Sequence, residues 1–361
     1  MWPYILLILI PLVVQYVRIS NTTVKITIND RKKNRNAMIV FWSLLFSMLV
    51  LRHEVVGIDL KTYDYIFHYI DNSSWKVGLS RSYEWMYSLL NKVIALFTDD
   101  FRWVIVAVAL ISVFFIAKAY TKYSPDTAFT IALFIVTPNF ILLFSGLRQA
   151  IVISLSFLAF EFIRKKKFFI FLLIVILAML FHTSAFMLLF MYPLYYVKIT
   201  RKWLFWVVPL MAVVFVFNRQ IFGFLSLLSS FTKYDFTMKS TGAYTMIIVY
   251  ALFAVFAYLI PDESELDNDT KAMRNYLLMA VVLQMFAPLH SLAMRMNYYY
   301  IAFIPLLLPR IVQHKSKRYN QVAILGQYVM IVFFIAYFFM TVPKENVLNT
   351  FPYHFFWEKV Y

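Results

Sequence analysis

The chain has 361 residues, of which 62% are hydrophobic and 14% charged, with a net charge of +16 and no cysteine. So few charges cannot cover the surface of a soluble domain of this length, and the missing thiols exclude a disulfide framework and a thiolate zinc site. The positive balance does not point to nucleic acid, because Lys and Arg lie in short loops between apolar runs, as membrane topogenesis places them.

The apolar runs read as helices. About 20 apolar residues cross the roughly 30 Å hydrocarbon core as a helix. Lipid offers the backbone no hydrogen bonds, so only helices or a closed barrel can span it, and the strict alternation of barrel strands is absent. The expected fold is therefore all-α: a polytopic integral membrane helical bundle forming a single membrane-embedded domain over 1–361. The first span lacks a basic leader and a small-residue cleavage site, so it reads as retained. Spans are expected near 2–17, 37–51, 101–119, 126–145, 147–163, 168–181, 183–197, 203–217, 243–260, 276–290, 297–309 and 322–342, about 12 membrane segments with ends good to a few residues. Several are short and call for tilt, local thinning or a re-entrant path.

Four basic clusters set the expected orientation. They are Arg18, Lys25, Arg31, Lys32, Lys33 and Arg35 in loop 18–36; Arg164, Lys165, Lys166 and Lys167; Lys198, Arg201 and Lys202; and Arg310, Lys315, Lys317 and Arg318 in loop 310–320. All four face the cytoplasm by the positive-inside rule. They can do so only if segment 83–97 does not cross. Its pattern agrees: Trp85, Met86, Leu89, Leu90, Val93, Ile94 and Phe97 form one stripe, with Glu84, Ser88, Asn91 and Lys92 opposite. That is an amphipathic helix lying in the outer interface. Segment 52–97 is then external, and the acidic loop 261–275 is internal.

The unusual polar residues converge on the outer face of this map. Arg148 stands alone among uncharged residues from Asp126 to Glu161. A charge in a membrane helix costs roughly 2.5–3.5 kcal/mol on insertion scales, and a guanidinium suits bidentate binding of phosphate; the bland reading is snorkelling to headgroups. Arg295 has Tyr298 and Tyr299 on its helical face, which suits a sugar or diphosphate, or simple interfacial anchoring. His182 interrupts a long apolar run and could act as a base or a phosphate donor, or be a satisfied polar residue at a helix turn. His290, after Pro288, is a weaker candidate of the same kind. Asp59 and Glu84 could deprotonate a sugar hydroxyl or be ordinary solvated carboxylates. Walker, dinucleotide and zinc-protease motifs are missing.

Several short elements together resemble the EpsG-type polysaccharide polymerases, related in role to the Wzy polymerases of O-antigen and capsule. They are Gly57-Ile58-Asp59 with Tyr63, Tyr83-Glu84, Leu147-Arg148-Gln149, Phe181-His182-Thr183-Ser184-Ala185, Arg295 with Tyr298 or Tyr299, and Phe351-Pro352-Tyr353. The chain departs from the pattern at Arg52, one residue further than expected from the Gly-x-Asp element, and at Trp85-Met86, where Pro-Gly often follows Tyr-Glu.

The resemblance implies an inverting glycosyltransferase of the bacterial cytoplasmic membrane. It would act at the outer face on undecaprenyl-diphosphate-linked oligosaccharide, as donor and as acceptor, to build O-antigen, capsule or exopolysaccharide. A flippase and a chain-length regulator would be its partners. Arg148, then Arg295, would stabilise the diphosphate leaving group. His182 or Asp59 would be the base, with His182 favoured, since imidazole titrates near neutrality. Glu84, Gln149, Tyr298, Tyr299 and His290 would contact substrate, and the arginines make a metal or cofactor unnecessary. A flippase is the main non-enzyme alternative, but it needs a polar path to both faces and paired broken helices. An outer-face ligase would share the donor chemistry and differ only in acceptor. An acyltransferase using His182 would need its donor on the opposite side.

Overall fold

The computed structural model describes residues 1–360 except 21–22, 27–30, 81–83 and 228–240. The described chain is helical apart from one short antiparallel hairpin, β1 (Val17–Ser20) and β2 (Thr23–Ile26). Before the hairpin comes α1 (Trp2–Tyr16). After it come α2 (Arg31–Leu51), α3 (Leu60–Asp71), α4 (Trp75–Ser80), α5 (Trp85–Ala95), α6 (Arg102–Tyr123), α7 (Thr127–Ile135), α8 (Pro138–Ser145), α9 (Leu147–Arg164) and α10 (Phe168–Phe181). Then follow α11 (Met191–Tyr196), α12 (Leu204–Val216), α13 (Asn218–Leu227), α14 (Thr241–Leu259), α15 (Asn268–Gln284), α16 (Ser291–Ile301), α17 (Ile304–Gln313), α18 (Asn320–Met340) and α19 (Val342–Glu345). Backbone contacts divide the chain into two compact units, 1–186 with 325–361, and 187–324.

Among the described residues, three helices are long and apolar enough to cross a membrane: Arg31–Leu51, Arg102–Tyr123 and the stretch Lys317–Glu345. The number rises to five if each of two bent pairs is one span, and Trp2–Tyr16, Phe168–Phe181 and Tyr244–Leu259 are shorter apolar helices. The expected elements thus recur as helices near their expected positions, but the described structure does not establish about 12 crossings. The reason is local chemistry. Between α7 and α8, which meet at 65°, Pro138 supplies no N–H and forces Thr137 into extended backbone (φ −79°, ψ 149°). The expected span 297–309 is likewise two helices, α16 and α17, with a break at 302–303.

In the first unit α9 is the central helix. It packs against α6 and α10, and α2 packs against α1 and α6. Most of α9 is buried, including Ser154, Ser156 and Gln149. Ser154 Oγ satisfies itself on the Ile111 carbonyl at 2.7 Å and Ser156 Oγ on Ile153 at 2.6 Å, as buried hydroxyls must.

Helix α5 tests the lipid reading directly. Its buried residues are Tyr87, Ser88, Asn91 and Lys92, whereas Trp85, Val93, Leu96 and Phe97 are exposed, the last to 84%. The apolar stripe therefore points outward and the polar stripe inward, the reverse of a helix on a water-soluble core and the arrangement suited to lipid. The inward Lys92 ammonium donates to the carbonyls of Ile70 (3.0 Å), Asp71 (3.0 Å) and Ser73 (2.7 Å). It caps the C-terminal end of α3, where carbonyls lack helical partners and the helix dipole favours a cation.

The second unit is built on α15, which packs against α11, α14, α16 and α17. Several of its buried polar groups find partners within the unit. Arg274 Nη2 reaches Glu263 at 3.1 Å and the Ile199 carbonyl at 3.0 Å, and Asn275 Nδ2 reaches the carbonyls of Leu194 and Val197. Helix α12 fully buries none of its residues; Leu204, Val207, Met211 and Val214 make a half-buried stripe, and the rest of its apolar surface faces outward, as lipid contact allows.

Candidate active site

The site begins at a sharp turn. Gly57 has φ +122°, and a Cβ there would collide with the Phe144 carbonyl; only glycine fits both conditions. The N–H groups of Gly57 and Ile58 donate to the carbonyls of Asn349 (3.0 Å) and Leu348 (2.9 Å), and His53 N–H donates to His354 (2.8 Å). The C-terminal segment thereby holds the connector between α2 and α3. Tyr353, expected from the aromatic Pro-Tyr element, anchors that segment through its hydroxyl to the Met48 carbonyl at 2.8 Å. Arg52 is buried beside it, with Nη1 on the Leu49 carbonyl at 2.9 Å, and burial lowers its pKa to about 10 despite the neighbouring Tyr353 and Tyr4.

Two acidic residues then occupy helix N-cap positions without capping. Asp59 precedes α3 and Glu84 precedes α5, and neither carboxylate bonds its own helix, although an acidic N-cap normally does. Both are turned toward α8, α9 and α10. Ser145 Oγ donates to Asp59 Oδ2 at 2.9 Å and accepts from Asp59 N–H at 3.2 Å. The break at Gly146 ends α8 just after Ser145 and starts α9 just before Arg148, so one interruption delivers both side chains.

Glu84 is the hub. One carboxylate oxygen forms an ion pair with Arg148 Nη1, and the other lies 2.8 Å from His182 Nδ1. His182 reaches it because α10 ends there in extended backbone (φ −160°, ψ 121°). Burial alone would raise the Glu84 pKa, but the His182 hydrogen bond and the Arg148 charge outweigh it and bring the group to about 2. An ionised carboxylate can only accept, so His182 Nδ1 carries the proton and a neutral ring leaves Nε2 as its basic nitrogen. Arg148 also reaches the Tyr63 hydroxyl at 3.5 Å. Its guanidinium carbon lies 5.6 Å from the Tyr63 ring and 6.0 Å from that of Tyr87, a cation–π setting. Burial raises the Tyr63 phenol above its ordinary range, with Arg148 opposing. The side chains of Glu84, His182 and Arg148 are 12%, 15% and 24% exposed, so the cluster is enclosed yet reachable.

Within the first unit Glu84, Arg148, His182 and Tyr63 thus form one cluster, and Asp59 pairs with Ser145 at the helix break that also precedes Arg148. Gln149 is buried on the first turn of α9, and Tyr83 lies outside the described residues. His290, Arg295, Tyr298 and Tyr299 belong to the second unit. There His290 stacks on Phe222 at 6.0 Å, Tyr298 and Tyr299 are buried, and Arg295 is exposed. Ser145 and Tyr87 were not legible as site residues. A serine before a glycine and a tyrosine in an amphipathic helix carry no signal until helix packing brings them to a charge.

The model of the EpsG family matches the chain over residues 36–355. No curated protein and no solved structure matches it.

Proposed function

Because the chain belongs to the EpsG family, the family of Wzy-like polysaccharide polymerases, we propose that it polymerises lipid-linked oligosaccharide repeat units. In this reading it works at the outer face of the bacterial cytoplasmic membrane. It transfers the growing glycan from undecaprenyl diphosphate to the non-reducing end of an incoming lipid-linked unit. The observation that carries the proposal is the Glu84 carboxylate shared by Arg148 and His182.

Each residue then has a role that chemistry requires. The acceptor hydroxyl attacks the anomeric carbon as the bond from that carbon to the diphosphate oxygen breaks. The hydroxyl proton passes to His182 Nε2, and Glu84 at Nδ1 holds the tautomer and stabilises the imidazolium, the logic of a base oriented by a third group. The departing diphosphate gains negative charge, which a preorganised guanidinium stabilises; Arg148, already lodged over Tyr63 and Tyr87, is that group. Asp59, tied to Ser145, orients the acceptor or serves as the alternative base. The proposal rests on the first unit's residues alone.

The test is the surface glycan of a deletion strain complemented with wild type or Arg148→Ala at matched protein levels. A ladder with wild type, and only single capped repeat units with the variant, is expected. A full ladder from the variant would return Arg148 to lipid anchoring. Repeat units trapped on the inner leaflet of the deletion strain, with none capped, would turn the reading to a flippase.

A further inference from the structure

A second cleft in the first unit is separate from the Glu84 cluster. It measures about 450 Å³, and its charged lining is Arg52, Glu54, Asp64, Asp99, Asp100 and Arg102. Helix α3 divides the two places: Tyr63 touches Arg148, while the next residue, Asp64, and His68 one turn on line the cleft. Asp64 and His68 pair at 3.3 Å, the Arg102 guanidinium lies over Phe356 with 3.8 Å to the ring centre, and Asp100 Oδ1 accepts from the Arg102 backbone N–H at 2.9 Å. Part of the wall is Arg52, only 2% exposed, whose Nε has no hydrogen-bond partner among the described residues.

The lining says what it would accept. Four carboxylates face two guanidiniums, an acidic balance in a strongly basic chain. Asp64 is already raised, by burial first and by Glu54 and Asp100 after the opposing His68. An anionic group such as a diphosphate is therefore repelled here. A metal ion is not indicated either, since no three such side chains converge on one point among the described residues. What remains is a ligand rich in hydroxyl donors with apolar faces. Carboxylates and guanidiniums accept and donate to vicinal hydroxyls, and the exposed part of Phe356, whose ring carries the Arg102 guanidinium, adds apolar surface at the rim.

We propose that this cleft is a saccharide subsite, binding a non-acidic sugar segment of the lipid-linked substrate while its diphosphate lies at Arg148. The inference rests on the polymerase reading for the origin of the sugar, but its test does not depend on turnover.

The probe is a set of lipid-free oligosaccharides, two and three repeat units long, cut from the strain's own surface polysaccharide. Binding to the purified full chain in detergent is measured by calorimetry for wild type, Asp64→Asn/Asp100→Asn and Arg148→Ala. Wild type and Arg148→Ala are expected to bind alike, and the double variant about tenfold more weakly, the loss of one charged hydrogen bond's worth of affinity. Both replaced residues are partly or fully exposed, so folding is expected to survive, and thermal unfolding checks that. Equal affinity of wild type and the double variant, or no saccharide binding by wild type, overturns the subsite. Neither result touches the polymerase reading, which stands or falls on the Arg148→Ala ladder.

Discussion

Glu84 and His182, separated by 98 positions in the chain, meet at 2.8 Å between a carboxylate oxygen and Nδ1, while the other oxygen of Glu84 engages Arg148. Glu84→Gln keeps the shape but removes the charge that sets the imidazole tautomer. If His182 is the base, polymer synthesis is expected to fall by about 10²–10⁴, the range of general acid–base contributions. Initial rates of polymer formation by purified protein, at matched amounts, measure it. Near-normal rates would leave the pair with a structural part only.

The same carboxylate has a signature in stability against pH. Its pKa is held at about 2 against an ordinary 4.5. A depressed carboxylate stabilises the fold in full above its unfolded pKa, and the contribution is lost as pH falls from 4.5 through 2. Wild type is therefore expected to unfold at a higher temperature than Glu84→Gln at pH 7, with the gap narrowing steadily toward pH 3. A gap that stays constant on acidification would show that Glu84 is not held ionised by its neighbours.

Gly57→Ala is expected to be costly despite its size. The left-handed φ of +122° and the collision with the Phe144 carbonyl predict a loss of about 1–3 kcal/mol. Relaxation of that strain would also move Asp59 away from Ser145. A lowered unfolding temperature together with a shortened or absent ladder is the expected pair of results. Wild-type stability in the variant would contradict the turn geometry.

Lys92→Met tests the inverted helix. The thioether keeps the apolar stem but takes the ammonium donor from the carbonyls of Asp71 and Ser73, and from Ile70, which keeps the Ser73 N–H. Charged hydrogen bonds of this kind contribute roughly 1.5–3 kcal/mol. The connection between α3 and α5 is expected to become more open to limited proteolysis, with other regions unchanged. An unaltered digestion pattern would mean that the cap does not hold these helices together.

Most helix positions were legible from apolar run length, since burial in lipid demands long uncharged helices whatever their neighbours, but α3, α4 and α13 lie outside the expected segments. So was the amphipathic segment at 83–97, which appears as α5. Its stripe alone could not say which face turns inward; only packing against α3 and α10 decided that the polar face does. The number of crossings was not legible, because breaks at Pro138 and at 302–303 leave helices too short to be counted by length.

Composition and order of residues by themselves determined that this is a helical membrane protein and that Arg148 and His182 are out of place in apolar surroundings, whereas Asp59 and Glu84 read as carboxylates of an external segment. Tertiary structure alone decided that Glu84 sits between Arg148 and His182, that Ser145 holds Asp59, and that the C-terminal segment pins the turn at Gly57. The reason is physical: a buried charge is visible in sequence as a local anomaly, but its partner is whichever group helix packing brings within a few ångströms, however distant along the chain.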